Sequence, residues 1–372
     1  MNVQTKLVLG LMLTCAMALQ AQKLQRWEIG PFARPASGNP VISPQPQATF
    51  ADPIRKEPVH WEALHTFNPA AIVRDGKIYV LYRAEDDTGK MEIGGHTSRV
   101  GMAESTDGIH FTQHDGPVFF PAEDDQKARE WTGGVEDPRI VESEDGTYVL
   151  TYTQWNGVDY YSAAVATSRD LIHWEKHGPV FLAAANGKFA TLKYKSCGIV
   201  TRFDETKGRL IAAKINGKYW MYWGDGPIRL ATSDDLIHWT PVEDAAGKPV
   251  VMLDTRPHHF DSILAEMGPP PVITKYGIVI IYNGENDPVG GDPDLGPNAY
   301  AAGEALFDAK DPTHLLARAE RPVVKPETPY EKTGQYVAGD TFTEGLVYFN
   351  KQWFLYYGCA DKLVSVVIAP RK

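Results

Sequence analysis

A phrase of nine residues recurs three times in this chain, and its spacing limits the folds that the chain can adopt. The phrase reads Ala-x-Ser-x-Asp-x-Ile-His-aromatic and occurs as AESTDGIHF, ATSRDLIHW and ATSDDLIHW, beginning at Ala103, Ala166 and Ala231. Successive copies are therefore 63 and 65 residues apart. Such a period is too long for a helical solenoid and suits a four-stranded unit with long loops.

Each copy follows an alternating stretch of aromatic and β-branched residues, which is typical of a half-buried strand. Two more stretches of this kind lack the phrase but keep a similar spacing. The five stretches are GKIYVLYRA from Gly76, GTYVLTYTQW from Gly146, GKYWMYWGD from Gly217, YGIVIIYNG from Tyr276 and KQWFLYYGCAD from Lys351. We therefore predict an all-β fold, a single five-bladed β-propeller. Within each phrase we expect Ser and Asp to hydrogen-bond a turn, Ile and the aromatic residue to pack between blades, and His to be structural.

The first 22 residues combine a lysine, an apolar run and small residues near the end, which is typical of a secretory signal peptide. We expect an exported protein, periplasmic or extracellular. The propeller domain would cover residues 23–372, with residues 23–57, rich in Pro, Gly and Ala, as an irregular N-terminal arm lying over it. Cys15 is a candidate for a lipid anchor, although Met12 fits a lipobox poorly. No later segment has the roughly 18 apolar residues that a membrane span needs.

Charge narrows the choice of partner, because a formal net charge of -10 without any run of basic residues disfavours nucleic acid and anionic membranes. The axial funnel of a propeller collects residues from every blade, and here carboxylates dominate. The polar candidates are Asn68, Arg83, Glu85, Asp86, Glu136, Asp137, Lys195, Asp225, Asp261, Glu266, Asp340 and Asp361, and the aromatic candidates are Trp131, Tyr194, Trp223 and Tyr282. Carboxylates accept hydrogen bonds from hydroxyl groups and rings stack on C–H faces, so we expect a small oligosaccharide as ligand.

We predict no metal site and no cofactor, and the oligomeric state stays open. The segment GENDPVGGDPDLG from Gly284 comes nearest to a calcium loop, but a surface loop explains its Gly and Pro content better. His258 and His259 are adjacent and would point to opposite faces of a strand, so they are poor joint metal ligands.

Two carboxylates from different blades would suffice for glycosidic cleavage. One protonates the leaving oxygen, and in an inverting reaction the other, about 6.5–9.5 Å away, activates water.

Six segments, in this order, resemble glycoside hydrolase family 130, the β-mannoside phosphorylases and β-mannosidases: FNPAAI, YVLYRAE, SRVGMAESTDGIHF, GGVEDPRI, EMGPPPVITKYGIVIIYNG and YYGCAD. The resemblance covers the chain from about His65 to its end, and GVEDPR together with GPPP is its most specific part. It implies a five-bladed propeller, in agreement with the repeat.

The resemblance also implies roles for individual residues. Asp137 would be the general acid, with a proton route through a hydroxyl of the bound mannose. Asn68, Arg83 and Asp361 match family positions that hold the mannose. Pro138 would restrict the backbone before it. Glu136 and Arg139 would orient the acid, unless they are a plain ion pair that braces a turn.

The chain departs from the phosphorylases of that family, which need a cationic cradle for phosphate. Where they show His-Arg-Pro this chain has Trp223, Gly224 and Asp225, and where they show Tyr-His-Gly it has Tyr282, Asn283 and Gly284; Glu266 replaces a small neutral residue before GPPP. A carboxylate beside a phosphate site repels the ligand. The pattern resembles the hydrolytic branch, secreted inverting β-1,2-mannosidases. It implies Glu266 as the general base and Asp225 as its partner in holding water, although hydrolases of that branch tend to have glutamate at the Asp225 position.

We therefore predict an exported inverting glycoside hydrolase that releases mannose from short, 1,2-linked β-mannosides. Its catalytic residues would be Asp137, Glu266 and Asp225, and its substrate-binding residues Asn68, Arg83, Glu136, Arg139, Lys195 and Asp361. Three alternatives stay open. They are a phosphorylase that makes mannose 1-phosphate and binds phosphate through Lys195, Arg139 or Arg256, a sugar-binding propeller without catalysis, and a propeller glycosidase acting on arabinans or xylans. Export disfavours the first, retention of Asp137 the second and GVEDPR the third.

Overall fold

A computed structural model describes residues 24–371, and the chain over this range is almost entirely β-structure, as predicted. Its helical elements are one short α-helix, α1 (Lys127–Glu130), and the 3-10 turns Ala184–Gly187 and Pro329–Lys332. The predicted signal peptide and Cys15 lie outside the described residues. Among residues 24–371 no helix has the length and apolar character that crossing a bilayer would require.

Consecutive strands form five groups, preceded by a small sheet of β1 (Phe50–Ala51) and β2 (Pro58–Val59). Group 1 comprises β3 (His65–Arg74), β4 (Lys77–Glu85), β5 (Ser98–Ser105) and β6 (Thr112–Gln113). Group 2 comprises β7 (Gly134–Glu142), β8 (Tyr148–Trp155), β9 (Tyr161–Ser168) and β10 (Trp174–Pro179). Group 3 comprises β11 (Cys197–Ile199), β12 (Thr201–Asp204), β13 (Arg209–Ala212), β14 (Lys214–Ile215), β15 (Lys218–Trp223), β16 (Ile228–Ser233), β17 (Trp239–Pro241) and β18 (Val251–Leu253).

Group 4 comprises β19 (Leu264–Met267), β20 (Val272–Thr274), β21 (Gly277–Glu285), β22 (Tyr300–Phe307) and β23 (Leu315–Arg318). Group 5 comprises β24 (Thr341–Phe349), β25 (Gln352–Cys359) and β26 (Leu363–Pro370). Pairing within each group is antiparallel, but β12 and β13 of group 3 pair only with each other and, through β12, with β20, so they belong to the sheet of group 4. Two parallel contacts join neighbouring groups, Ser98 with Gly134 and β12 with β20. All five aromatic stretches predicted as strands fall on β4, β8, β15, β21 and β25.

Five hydrophobic clusters occupy the spaces between consecutive groups. Representative members are Leu81 and Leu150 between groups 1 and 2, Val165 and Trp223 between groups 2 and 3, Leu230 and Ile280 between groups 3 and 4, Val279 and Leu355 between groups 4 and 5, and Tyr356 and Val80 between groups 5 and 1. The order of packing thus returns from the last group to the first. Side chains alternate between the two faces of each strand, so each group of strands packs against two different neighbouring groups.

The repeated phrase forms a turn in each copy, as predicted for its Ser and Asp. In the first copy Ser105 Oγ accepts a hydrogen bond from the backbone N–H of Gly108 at 2.9 Å, and Asp107 accepts from the next two N–H groups. The histidines are exposed and pair only with the Asp of their own phrase. The prediction that Ile packs between blades was wrong for Ile172, which is 40% exposed whereas the preceding Leu171 is fully buried; Ile109 and Ile237 are half-buried. The aromatic residue does pack, as Trp239 shows at 1% exposure.

The N-terminal arm, described from residue 24 to 57, does more than lie over the sheets. Ala33 and Ile42 form antiparallel bridges with Ile368 and Val364, so the arm continues the open edge of β26. At its other end Asp52 contacts the buried guanidinium of Arg99, which also pairs with Asp86 at 2.8 Å. The arm thereby fixes the start of the loop that joins β4 to β5.

Candidate active site

The candidate site forms where β-bulges interrupt the first strands of groups 1, 2 and 5. The register shifts between Phe67 and Pro69, between Glu136 and Arg139, and between Thr343 and Gly345. A bulge adds a residue to one strand and redirects its side chain. Asn68 and Asp137 occupy the first two bulges with φ of 46° and 49°, a region that Asn and Asp tolerate better than most residues. The FNP and EDP motifs are thus the same local structure in two groups.

Asp137 is 3% exposed and uses its two oxygens differently. Oδ1 accepts hydrogen bonds from Asn68 Nδ2 at 2.8 Å and from Arg83 Nη1 at 3.2 Å. Oδ2 lies 3.8 Å from Lys195 Nζ. Burial by itself would raise the pKa of Asp137, but the nearby Arg83, Lys195 and Arg139 outweigh it and lower the pKa to about 2. Oδ2 is therefore the oxygen with room for a substrate hydroxyl.

Arg83 connects the acidic residues around Asp137. Its Nη2 lies 2.7 Å from Glu85 Oε1 and 2.9 Å from Glu136 Oε1, and its Nε donates to Ser98 Oγ at 3.0 Å. Burial raises the pKa of Glu136 to about 7, although Arg83 opposes the rise. Glu136 and Asp137 both contact Arg83 and influence each other's charge, so a proton that the two residues bind near neutral pH is on Glu136 rather than on Asp137.

Glu266 and Asp225 face each other across neighbouring strands. They form an isolated antiparallel bridge, a geometry that brings side chains to within about 4.5–5.5 Å at Cβ. The hydroxyl of Ser196 donates to Glu266 Oε1. Glu266 is 5% exposed, and burial raises its pKa to about 7, with Lys195 opposing and the charge of Asp225 adding to the rise. A carboxylate whose pKa lies near the operating pH suits a general base.

Lys195 lies between the two pairs of carboxylates and keeps a third of its side chain exposed. Its backbone N–H points to Asp225 Oδ1 at 3.4 Å, while its Nζ approaches Asp137. Burial would lower the pKa of Lys195, but Asp137, Glu266 and their neighbours raise it above the ordinary value. Lys195 is therefore a permanent positive charge that both halves of the site share.

Arg139 is almost fully buried, and its guanidinium contacts main-chain carbonyl groups. It donates to the carbonyl oxygens of Asp137 at 3.0 Å, Met267 at 2.8 Å and Gly268 at 3.2 Å. Its Nη1 also lies 3.0 Å from Glu344 Oε1. Arg139 thus links the backbone of the predicted acid to the residue that follows the predicted base.

Asp361 completes the site on the side of group 5, with φ of 49° and a pKa that burial raises to about 7. Gln335 links Asp361 to Glu85, because its Nε2 donates to Glu85 Oε2 at 2.8 Å and to the carbonyl oxygen of Asp361 at 3.2 Å. Asp340 is a fully buried neighbour of Asp361, and burial raises its pKa well above the usual range.

Sequence reasoning missed three polar residues here. Ser196 and Glu344 had no motif to mark them, and Gln335 stands in a loop between groups. Only the pairing of distant strands brings them to the site.

Other candidates from the sequence have structural partners. Asp261 is bound by Arg256 at 2.9 Å and by Arg318, so Arg256 is committed to an ion pair. Tyr282 donates its hydroxyl to the same carboxylate. Tyr194 and Trp223 pack with Phe181 in the core and are 2% and 1% exposed. Trp131 alone among the four aromatic candidates is partly exposed, with Arg55 over its ring at 5.4 Å.

Comparisons with known proteins agree on one group of enzymes. The sequence model of glycoside hydrolase family 130, which is described as beta-1,4-mannooligosaccharide phosphorylase, matches residues 38–372 of this chain. A 1,2-beta-oligomannan phosphorylase of Thermoanaerobacter sp. (strain X514) is 34% identical over 84% of this chain and 92% of its own.

Two solved structures are more similar in sequence. A glycosyl hydrolase from Bacteroides ovatus is 49% identical with a TM-score of 0.90, covering 94% of this chain and 98% of its own. The second structure is named with the words "The GH130 family of mannoside phosphorylases contains glycoside hydrolases that target beta-1,2 mannosidic linkages in Candida mannan". It is 48% identical with a TM-score of 0.91 and the same coverage.

Proposed function

Because this chain belongs to glycoside hydrolase family 130, we propose that it is an exported inverting β-mannosidase, which releases mannose from short β-1,2-linked mannosides by hydrolysis. Asp137 is the general acid and Glu266 the general base. Asp225 helps to hold the water, and Asn68, Arg83, Glu136, Lys195 and Asp361 bind the sugar. Arg139 orients the acid through its main chain.

We further propose that residues 23–372 form one five-bladed propeller. The support is the circular order of packing, in which five groups of strands are separated by five apolar clusters and the last group meets the first. Bulged residues from groups 1 and 2 meet at one end of this ring, together with Lys195 and Glu266 from groups 3 and 4. A site assembled from the strand ends of several blades is typical of a propeller funnel.

One observation carries the choice of hydrolysis: two carboxylates, Glu266 and Asp225, face each other across an isolated bridge, and Lys195 is the cation that acts most strongly on Glu266. A phosphorylase must place a phosphate dianion where a hydrolase places water. Repulsion from two carboxylates opposes a dianion there. A water molecule, by contrast, needs an acceptor for its proton, and Glu266 has a pKa suited to that task.

The proton for the leaving oxygen must come from the Glu136–Asp137 pair. Asp137 by itself is ionised at neutral pH, so substrate binding must raise its pKa before it can act as an acid. A sugar ring would do this by excluding water from the carboxylate and by separating Oδ2 from Lys195 Nζ. Glu136, which is partly protonated at neutral pH, is the nearest source. Arg83, which contacts both carboxylates, can compensate for the charge as that proton moves.

The relatives support a choice of linkage. The phosphorylase relative and the structure at 48% identity both have names that specify β-1,2-mannosides. We propose the same linkage for this enzyme.

Phosphorolysis is the second candidate function, and Lys195 is the observation that favours it. This cation sits between the acid and the base with part of its side chain open, where it could pair with one phosphate oxygen. The phosphorylase relative supports the same reading. Arg139 and Arg256, the other cations considered for phosphate, are occupied by carbonyl groups and by Asp261.

The test is to incubate the enzyme with β-1,2-mannobiose, with and without inorganic phosphate, and to identify the products and their first-formed anomer. Free α-mannose from the non-reducing end, at a rate indifferent to phosphate, is the expected result. Mannose 1-phosphate that forms only with phosphate would establish the second candidate. Glu266→Gln is the matched variant, since it should lose hydrolysis while a phosphorylase would tolerate or benefit from the lost charge.

A further inference from the structure

A second cluster of polar side chains lies beside the candidate active site, at the strand ends of group 1. His65 and Glu85 are cross-strand partners on β3 and β4, and His96 lies in the loop before β5. His65 Nδ1 is 2.8 Å from Glu85 Oε2, and the two imidazole rings are 5.9 Å apart. One nitrogen or oxygen from each of the three side chains lies within 4.8 Å of the other two.

The hydrogen bonds of the cluster determine which atoms are free to bind a ligand. His96 Nδ1 lies 2.9 Å from the carbonyl oxygen of Thr88, which can only accept, so this nitrogen carries the hydrogen. In the neutral ring the lone pair is then on Nε2. A histidine whose one nitrogen is held by a carbonyl group and whose other nitrogen is free has the arrangement that metal-binding histidines show.

The distances require a modest adjustment for a shared ion. Zinc binds nitrogen at about 2.0 Å, so two of its ligands stand about 3.3 Å apart. His65 Nδ1 and Glu85 Oε2 are already at 2.8 Å and would exchange their hydrogen bond for two metal bonds. Because the three ligand atoms already lie within 4.8 Å of one another, His96 would approach by at most about 1.5 Å, which a shift of the loop that carries it can supply.

A carboxylate oxygen faces the two imidazole rings, since Glu85 Oε2 lies 2.8 Å from His65 Nδ1, and such an oxygen attracts a cation. Glu85 can serve an ion and Arg83 simultaneously, since Arg83 binds Oε1 and leaves Oε2 to His65 and Gln335. An ion would displace Gln335 from Oε2. The alternative is that the cluster only braces Arg83, and the experiment below separates the two.

We propose that His65, Glu85 and His96 form a binding site for a divalent transition metal of the zinc class, with two imidazole nitrogens and one carboxylate oxygen as ligands. Two histidines and one carboxylate are a ligand set that zinc and iron both accept. Hard ions such as calcium prefer oxygen ligands throughout and should bind poorly. The proposal does not depend on the reaction that the enzyme catalyses.

The test is isothermal titration of the purified, tag-free enzyme with Zn²⁺ and, separately, with Ca²⁺, followed by Co²⁺ absorption spectra of the d–d bands that nitrogen ligands produce. We expect one Zn²⁺ site per chain that Ca²⁺ does not occupy. His96→Gln should weaken Zn²⁺ binding at least tenfold. His259→Gln is the matched control, because His259 is also held by a carbonyl group and a carboxylate, Pro257 and Glu320, both at 2.9 Å.

Three results would overturn the proposal: no Zn²⁺ binding, binding that His96→Gln leaves unchanged, or binding that His259→Gln removes. If His96→Gln does not fold, as judged by its melting temperature, His65→Gln takes its place under the same criteria. Since the readout is metal binding, failure here leaves the proposed hydrolase untouched. A hydrolase that fails the product assay can equally still bind Zn²⁺.

Discussion

Glu266→Gln should inactivate the enzyme and, above neutral pH, make it more stable. The substitution keeps the volume of the side chain, and the amide oxygen can still accept the hydrogen bond of Ser196. It removes the group that takes a proton from water. Loss of general base catalysis lowers kcat by about 10²- to 10⁴-fold. A merely structural glutamate would not show this loss.

The gain in stability follows from the pKa of Glu266, which burial raises from the usual 4.5 to about 7. A carboxyl group whose pKa is raised by folding costs stability wherever it must ionise, so the cost is absent below pH 4.5 and complete above pH 7. The difference corresponds to about 3 kcal/mol at pH 8.5 and less than about 1 kcal/mol at pH 5. For a domain of this size about 3 kcal/mol shifts Tm by roughly 4 °C.

The assay compares kcat on β-1,2-mannobiose and thermal melts at pH 5 and pH 8.5 for the wild type, Glu266→Gln and Glu320→Gln. Glu320 is an exposed control, at 62% side-chain exposure. Only Glu266→Gln should combine lost turnover with a Tm that rises at the higher pH, and added azide should restore turnover by replacing the base. Near-wild-type kcat would remove Glu266 from the mechanism. Equal Tm changes at both pH values would refute the argument from burial.

Three further substitutions test the rest of the site. Asp137→Asn should lower kcat by about 10²- to 10⁴-fold. Because the pKa of Asp137 is lowered from 3.8 to about 2, its charge stabilises the fold at neutral pH by about 2 kcal/mol and loses this effect as the pH falls through 4 to 2; melts at pH 7 and pH 3 check the sign. Arg139→Lys should lose carbonyl contacts worth about 2 kcal/mol and lower kcat more than it raises KM, as steady-state kinetics would show; an unchanged kcat would rule out a positioning role. Asp52→Asn breaks the buried pair with Arg99, at a cost of about 3 kcal/mol, and should raise KM by loosening the loop between β4 and β5; a KM equal to that of the wild type would mean that the arm does not position this loop.

The fold was largely predictable because its information is local and repeated. Alternating aromatic stretches identify the five strands β4, β8, β15, β21 and β25, and Ser-x-Asp identifies three turns, since these residues bond to the backbone within three positions. The error concerned Ile172, since the residue with φ of 73°, Leu171, points inward in its place. A residue with a positive φ changes the direction of the side chains next to it, so they no longer alternate as they do in an extended strand. No rule of periodicity anticipates that rotation.

The site was predictable only where a motif carried it. Asp137, Asn68 and Arg83 were expected through the family resemblance, and they share hydrogen bonds in the structure. Ser196 and Glu344 were missed because their position depends on strands that pair across the molecule. Arg139 was expected near a ligand, whereas its contacts are with carbonyl groups 128 and 129 residues away. Sequence distance hides such contacts, and charge alone does not reveal whether an arginine faces a sugar or the backbone.

Asp137 and Glu266 have opposite pKa shifts although both carboxyl groups are buried. Burial alone would raise the pKa of each, so the difference comes from their neighbours. Asp137 has Arg83 and Lys195 within 4 Å, whereas Glu266 receives one neutral hydroxyl and faces the charge of Asp225. Before substrate binds, the acid is therefore ionised and the base partly protonated, the reverse of what hydrolysis requires. Substrate must exchange the two states, and the proton on Glu136 allows this without transfer from bulk water. An enzyme built this way should show a kcat/KM that falls as the pH rises above 7, when Glu136 loses the proton that Asp137 needs. Glu136→Gln should remove the contribution of Glu136 to that fall; an unchanged pH profile would mean that the proton reaches Asp137 from another source.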